Sequence, residues 1–521
     1  MTSPAFQARL RAALPDGPDA PTLPSPVSLA AASASLPRRP SHGAGVKDGE
    51  ESTTTTNADY LAPLGTEATL THILTDIVPA LNGQARSGRY YGFVTGGSLP
   101  VAEAADAVVS ALDQNVQVHL PGQTVATEVE SVALGMLADV LGLEDGADGS
   151  RDGEEVWKGR TFTTGATASN VLGLACGREH VVARRGGNVG EEGLLGACVS
   201  AGVRGVQILT SMGHSSLSKA ASVVGIGRAS VKELPLSADE PWRLDLEAVE
   251  RALEKGERDG VVSVIAVSAG EVNTGRFATG GAEEMRRLRG LADRFGAWLH
   301  VDGAFGIFAR ALEAKPEFAK IREMASGLEL ADSITVDGHK LLNVPYDCGM
   351  FFCRSLPTQT AVFTNPNAAY LSSGASTIPS PLNIGLENSR RFRALPAYAV
   401  LRSEGRSGLA AILGRMVILA RKLAVWIRPS ETYELLPEVV EGEWDVEETH
   451  MVVLFRARDE GLNEELVGRI NGTREVYVSG TSWKGRKAVR VAVGSWRVDV
   501  EGDFEVLTRV LEDIAGAWAR G

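Results

Sequence analysis

The chain has 521 residues, 44% hydrophobic and 22% charged, with 52 basic against 65 acidic side chains and a net charge of −13. That length is too great for one core and predicts two or three domains. The acidic balance, without a basic stripe, argues against a nucleic-acid partner, and no apolar run approaches the ~20 residues that cross a bilayer, so no membrane partner is expected.

Residues 1–58 are rich in Ala, Pro, Ser, Thr and Gly and almost free of aromatics. Such a stretch buries too little apolar surface to offset its ordering entropy, which predicts a disordered tail. Arg9 and Arg11 are followed by Asp16, Asp19 and prolines, not by the apolar core of a signal peptide. Residues 59–130 read as an N-terminal helical segment. The apolar spacing of Leu70–Leu81 predicts a helix up to Pro79, and further helices are expected over Ala102–Leu112 and Thr124–Leu143. Two connecting stretches, the aromatic Ser87–Gly97 and Asp113–His119, carry side chains suited to lining a pocket or to ordinary packing. Glu144–Glu155 is an acidic, Gly-rich loop.

From Arg160 the pattern changes. Apolar runs near Gly205–Thr210, Val261–Ser268, Ala297–Val301, Ser333–Val336 and Met350–Cys353 read as strands. Between them lie helical stretches near Ala168–Arg185, Leu244–Lys255, Gly281–Phe295 and Pro316–Ala325. This alternation predicts a large α/β domain over 131–395, with a mostly parallel sheet covered on both faces. A long helix over Ala394–Arg428, broken near Gly405–Gly408, leads into a smaller C-terminal α+β domain over 396–521. That domain is expected to hold strands Met451–Ala457, Glu475–Gly480 and Ala488–Val493 and helices Leu462–Ile470 and Phe504–Trp518.

Five motifs carry chemistry. Thr163–Asn170 (TTGATASN) sets small and hydroxyl residues at a helix start, which suits a phosphate cradle as well as a simple cap. In Thr210–Lys219 (TSMGHSSLSK), His214 can stack on an aromatic ring or handle a proton, and is equally a cap or surface histidine. In Trp298–Gly306 (WLHVDGAFG) a strand delivers Asp302 to its C-terminal end, where open α/β sheets bind ligands. A carboxylate there can keep a pyridine nitrogen protonated, and Ala304 is small enough for a flat ring to lie against it. His300 reads as a core histidine on the face of Asp302, placed to orient it. Asp337–Gly–His–Lys340 holds Lys340 between two β segments, suited to a lysine that binds a carbonyl compound as a Schiff base. Finally, Tyr370 sits in a long Gly/Ser/Pro-bearing loop, Phe363–Asn383, with the length of a lid, from which it can donate a proton to a carbanion. Taken in order within one α/β domain, these motifs point to pyridoxal phosphate.

With these motifs, and with SRRFRALP at 389–396 and GRKAVRVAVGSWR at 485–497, the chain resembles the pyridoxal-phosphate-dependent group II amino-acid decarboxylases. The aromatic amino-acid, glutamate and tyrosine decarboxylases belong to that group. The resemblance implies the fold-type-I architecture, a homodimer, and decarboxylation of a small-molecule substrate, an L-amino acid, to an amine and carbon dioxide. It implies that Lys340 forms the Schiff base with the cofactor, Asp302 pairs with the ring nitrogen, and His214 and Ala304 flank the ring. Ala166, Thr167 and His339 would hold the phosphate, and Tyr370 would be the proton-donating lid tyrosine. Tyr91, Phe93 and His119 would form the substrate pocket, partly across the dimer. Two departures stand out. Glu271–Val272 occupy the place of a common Thr-Thr pair, and Asp337–Gly338 replace a common Asn-Pro.

The same scaffold also serves other lyases, aldehyde synthases and aminotransferases, and a cofactor-binding protein without activity is a further alternative. Tyr370 argues for decarboxylation among the enzymes, and the joint presence of Lys340, Asp302 and His214 argues for catalysis. Cys176, Cys198, Cys348 and Cys353 lack metal-ligand spacing and read as reduced thiols. A cytoplasmic protein without a metal is therefore expected.

Overall fold

The computed structural model describes residues 4–14, 17, 20–37, 61–144, 156–366, 377–438 and 445–520. A seven-stranded sheet forms the larger part. Its strands are β1 (Gly159–Thr163), β2 (Gly205–Thr210), β3 (Val231–Glu233), β4 (Val261–Ser268), β5 (Trp298–Asp302), β6 (Ser333–Asp337) and β7 (Gly349–Cys353). They lie in the order β1-β7-β6-β5-β4-β2-β3. Only β7 runs against its neighbours, β1 and β6, so the sheet is mostly parallel, as the alternating pattern predicts.

The central strands are apolar on both faces because both faces are covered. Ile265 and Val267 of β4 join one core with Val249, Leu253, Met285 and Leu288. Val264 and Ala266, the alternate residues, join a second core with Leu172, Val181 and Trp298. The helices on the first face begin and end on sequence signals. Asp245 caps Leu246–Asp259 by accepting the Ala248 N–H at 2.9 Å, and Gly260 ends it in the left-handed region at φ 72°. The helix Ala166–Ala183 lies on the second face and is buried along most of its length.

The smaller part is an antiparallel sheet of β8 (Tyr433–Leu436), β9 (Val452–Ala457), β10 (Ser479–Trp483) and β11 (Arg486–Ala492), ordered β10-β11-β9-β8. The long helix Ala394–Ile427 precedes it, with Gly405 in a non-helical conformation at the expected break. The strand expected over Glu475–Gly480 begins later, at Ser479. Tyr477 instead pairs with the aromatic loop: its N–H donates to Arg89 O at 3.1 Å and its carbonyl accepts the Tyr91 N–H at 2.8 Å.

Three other expectations are corrected. Within the stretch expected to be a disordered tail, the described residues hold helices over Pro4–Ala13 and Pro26–Ser35, while 38–58 lie outside the described residues. The second follows local rules, with Ser25 as a cap and Pro26 in the first turn. A contact that composition cannot reveal holds the chain just before it. Thr22 is fully buried, and its N–H and hydroxyl both donate to Arg474 O at 2.9 Å. The helix expected over Leu70–Leu81 is α-helical only over Thr66–His72, then widens over Ile73–Ile77 and tightens over Val78–Ala80. Pro79 lacks an N–H and its ring crowds the preceding turn, which forces the change. The helix near Pro316–Ala325 opens with a 3₁₀ turn, Pro316–Phe318, before Ala319–Met324. Helices Val189–Ser200 and Leu356–Phe363 and strands β3 and β8 were not legible from periodicity. Among the described residues, no helix is long and apolar enough to cross a membrane.

Candidate active site

The C-terminal ends of β4, β5 and β6 open on a cavity of about 240 Å³, lined among others by Ala166, His214, Asp302, Ala304 and Lys340. Five positions from four sequence motifs thus meet in one place, at the sheet edge where parallel strands deliver ligand-binding groups.

Asp302 ends β5 and is held by a buried network. Asn170 Nδ2 donates to Asp302 Oδ2 at 2.8 Å, and the Ala304 N–H donates to Oδ1 at 3.3 Å. Asn170 is fully buried and also bonds Ser216 Oγ at 3.1 Å. Its Oδ1 accepts from Thr335 Oγ1 at 2.9 Å and lies 3.0 Å from His300 Nε2. The other nitrogen of His300 lies 2.8 Å from Ser333 Oγ. His300 is therefore a core histidine, and it supports Asp302 through Asn170 rather than by direct contact. Burial pushes its pKa down to about 4, against the opposing pull of Asp302. Gly173 leaves room for this arrangement, since a Cβ there would lie 2.4 Å from the His300 ring.

His214 caps the helix Ser215–Val223, with Nδ1 accepting the Ser216 N–H at 3.2 Å and lying 2.7 Å from Ser216 Oγ. The cap is real and does not preclude the other reading, because the ring also lines the cavity. Enclosure in the cleft lowers its pKa, with Asp302 opposing the shift and Lys340 adding to it.

Lys340 lies on the short helix Gly338–Leu341, directly after β6. Its Nζ is 3.0 Å from Asp337 Oδ2 and 5.7 Å from the centre of the Phe305 ring. Asp337 Oδ1 accepts the Ala166 N–H at 2.6 Å and lies 3.6 Å from His339 Nε2. His339 Nδ1 accepts the Cys348 N–H at 3.3 Å, and the ring stacks on Tyr346 at 4.4 Å. Burial lowers the His339 pKa, which Asp337 opposes. Thr167 stands exposed in the first turn of the Ala166–Ala183 helix.

Phe93, Val94, Val272 and Phe305 form the apolar side of the cavity, and Arg490 of β11 is its second cation. Arg490 is buried, and its Nε has no hydrogen-bond partner. Burial lowers its pKa, with Glu271 as the opposing charge. The Glu271 carboxylate is committed to its own turn, accepting from the N–H groups and side chains of Asn273 and Thr274 at 2.9–3.1 Å. The departure at Glu271–Val272 thus builds a closed turn from one residue and a cavity wall from the next.

Of the three residues expected at the substrate, only Phe93 lines this cavity within one chain. Tyr91 is fully buried with an unpaired hydroxyl, its phenol pKa raised by that burial. The loop is pinned there because Tyr91 O accepts the Ala492 N–H at 2.9 Å. His119 is buried beside Thr127, with Nδ1 2.7 Å from its hydroxyl. Tyr370 lies outside the described residues. Sequence reasoning overlooked Asn170, Asp337 and Arg490 as site residues. Asn170 had a signal, since it lies one helical turn beyond Ala166 and so shares its face. Arg490 had only its charge amid the apolar run of β11.

The residues present fit pyridoxal phosphate. One amine, one carboxylate, one imidazole, a small Ala304 and a helix N-terminus surround one cavity, and Arg490, whose Nε lacks a hydrogen-bond partner, adds a second positive charge.

Comparison with known proteins agrees with this fit. Residues 71–457 match the model of the pyridoxal-dependent decarboxylase conserved domain. The chain is 28% identical to tryptophan decarboxylase 1 of Oryza sativa subsp. japonica over 455 residues, covering 84% of this chain and 81% of that protein. It is 26% identical to the aromatic-L-amino-acid decarboxylase of Sus scrofa, covering 72% and 71%. In three dimensions it superposes on Oryza sativa TDC with PLP and tryptamine at a TM-score of 0.75 and 23% identity, covering 95% and 93% of the two chains. It also superposes on Rhodiola rosea 4-hydroxyphenylacetaldehyde synthase at 0.72 and 20%, covering 98% and 95%. The fold is thus that of fold-type-I enzymes, and the chain belongs to the pyridoxal-dependent decarboxylase family, as a carboxy-lyase whose cofactor is pyridoxal phosphate.

Proposed function

We propose that this chain removes the α-carboxylate of an L-amino acid as carbon dioxide and releases the amine, with Lys340 as the residue that holds the cofactor. The observation that carries this reading is the meeting of Lys340, Asp302 and His214 at one cavity above Ala304. Pyridoxal phosphate, when bound, supplies an aldehyde and a cationic ring that takes up the electron pair left by the departing carboxylate.

The chain's own residues set the conditions for that chemistry. Asp302 holds the proton at the ring nitrogen, and Asn170 keeps its carboxylate from turning away. His214 and Ala304 would hold the ring between them. Ala166, Thr167 and His339 would hold the phosphate, where a helix N-terminus favours an anion. Phe93, Val94, Val272 and Phe305 exclude water from the reacting carbon. Arg490, buried beside them with an unpaired nitrogen, orients a carboxylate of the substrate. Tyr370, which lies outside the described residues, is the proposed donor of the proton to the substrate's α carbon.

We further infer a homodimer, as the resemblance implies, to which the aromatic loop offers the exposed Phe93, whereas Tyr91 and His119 are buried within their own chain. The four buried free thiols support a cytoplasmic protein. The test is a screen of the twenty amino acids for carbon dioxide release by the full chain with pyridoxal phosphate. One or a few are expected to release it, with equal amine. Release from none, or aldehyde in place of amine, would overturn the reading. Tyr370→Phe is expected to cut amine output and divert product to aldehyde, and unchanged amine output would remove Tyr370 from the mechanism.

A further inference from the structure

Asp337 joins the two ends of the proposed cofactor site. It closes β6 and is only 2% exposed. One of its oxygens, Oδ1, accepts the Ala166 N–H at 2.6 Å and lies 3.6 Å from His339 Nε2. The other lies 3.0 Å from Lys340 Nζ. Ala166 and His339 are two of the three residues assigned above to the phosphate. The carboxylate therefore has the contacts an anion seeks, namely a helix N-terminal N–H, an imidazole and an ammonium. The turn is shaped to admit it. A Cβ on Gly165 would lie 2.9 Å from His339 Cε1 and 3.4 Å from Asp337 Oδ1.

We propose that Asp337 is a positioning residue, an internal anion that contends with the cofactor's phosphate for the Ala166 N–H and so sets how tightly the cofactor is held. One N–H makes one strong bond, and two anions within reach of the same donor repel each other. A phosphate that takes the Ala166 N–H must displace Oδ1, while Oδ2 keeps its hold on the Lys340 side of the site. The related Asn-Pro sequence places a neutral amide at this position, which carries no charge against a phosphate. The Asp337–Gly338 departure is then a change in cofactor retention.

The inference rests on the proposed assignment of the phosphate to Ala166, Thr167 and His339, and the experiment separates the two. The full chain and its Asp337→Asn variant, both stripped of cofactor, are titrated with pyridoxal phosphate, pyridoxal and inorganic phosphate. Binding is read by absorbance and tryptophan quenching for the first two, and by the rise in melting temperature for phosphate. The variant is expected to bind pyridoxal phosphate more tightly, by on the order of tenfold, the difference between a charge-assisted and a neutral competitor. Inorganic phosphate should stabilise the variant more than the parent, and pyridoxal, which senses only the lost partner of Lys340, should gain less than pyridoxal phosphate. Unchanged or weaker binding of pyridoxal phosphate by the variant would overturn the proposal. So would an equal gain with pyridoxal, which would place the effect at Lys340 alone, or a phosphate effect equal in both proteins. Asp337→Ser serves if Asp337→Asn does not fold. The phosphate arm needs no lysine chemistry. A missing Lys340 adduct alongside a positive phosphate arm would sink the catalytic reading and leave this one standing, and the reverse pattern would do the opposite.

Discussion

The two carboxylates of the site, Asp302 and Asp337, are held in opposite ways. Asp302 is fixed by an interior network, with Asn170 joining it to Ser216, His300 and Thr335, and His300 in turn reaching Ser333. Asp337 bonds groups that belong to the site itself, the Ala166 N–H and the Lys340 amine. A carboxylate that must face one ring atom throughout a reaction gains from rigid partners in the core. One whose neighbours must also bind cofactor gains from bonds that can be exchanged. The half of the site around Asp302 is thus built for permanence, and the half around Asp337 for exchange.

Variants test this contrast, beginning with the largest expected effect. Lys340→Ala should lower kcat by on the order of 10³ or more and abolish borohydride labelling at that position. Labelling that survives at another lysine would relocate the attachment point. Asp302→Asn should lower kcat by about 10²–10³, while the variant folds normally, since the amide keeps the shape. A loss under tenfold would mean that the ring nitrogen needs no charged partner. Asn170→Ala should reduce stability by about 2–4 kcal/mol in denaturant melts, because it strands buried groups on His300, Thr335 and Asp302 together. It should also lower kcat with little change in KM. A stable Asn170→Ala protein with full activity would refute the idea of a rigid half.

A further effect is in pH. His300 is pushed down to about 4 and His450 to about 3, both by burial, from an ordinary 6.5. Above that ordinary value both are neutral whether folded or unfolded, and the full stability is present. As pH falls from 6.5 toward 4, the unfolded chain takes up protons that the folded one refuses, and stability drops by up to about 3 kcal/mol per histidine. Asp503, raised to about 6 chiefly by burial, works in the other direction between 6 and its ordinary 3.8. Melting curves between pH 7 and 4 should therefore show a net acid loss that His300→Gln reduces. An unchanged slope in that variant would show that His300 does not contribute.

Much of the fold was legible because its signals are local. The apolar runs of β4 and β6 read as buried strands, and Asp245 and Gly260 mark the ends of a helix without reference to anything distant. The position of Asp302 followed from the strand it ends, and that of Lys340 from the strand it follows. The N-terminal helices were misread because composition says nothing about Thr22 finding the Arg474 carbonyl. Part of the Glu475–Gly480 run was misplaced because its backbone partner is the aromatic loop, far away in the chain.

The sequence by itself determined the class of fold, the order of the motifs and the chemistry each can perform, since strand alternation, helix period and side-chain type are properties of short stretches. Tertiary structure alone decided which of these groups touch. Asn170 meets Asp302 across 132 positions, and Asp337 meets the Ala166 N–H across 171. Arg490 reaches the cavity from β11 of the smaller sheet. Hydrogen-bond partners depend on where the packed sheets and helices bring the chain back upon itself, and no local pattern encodes that return.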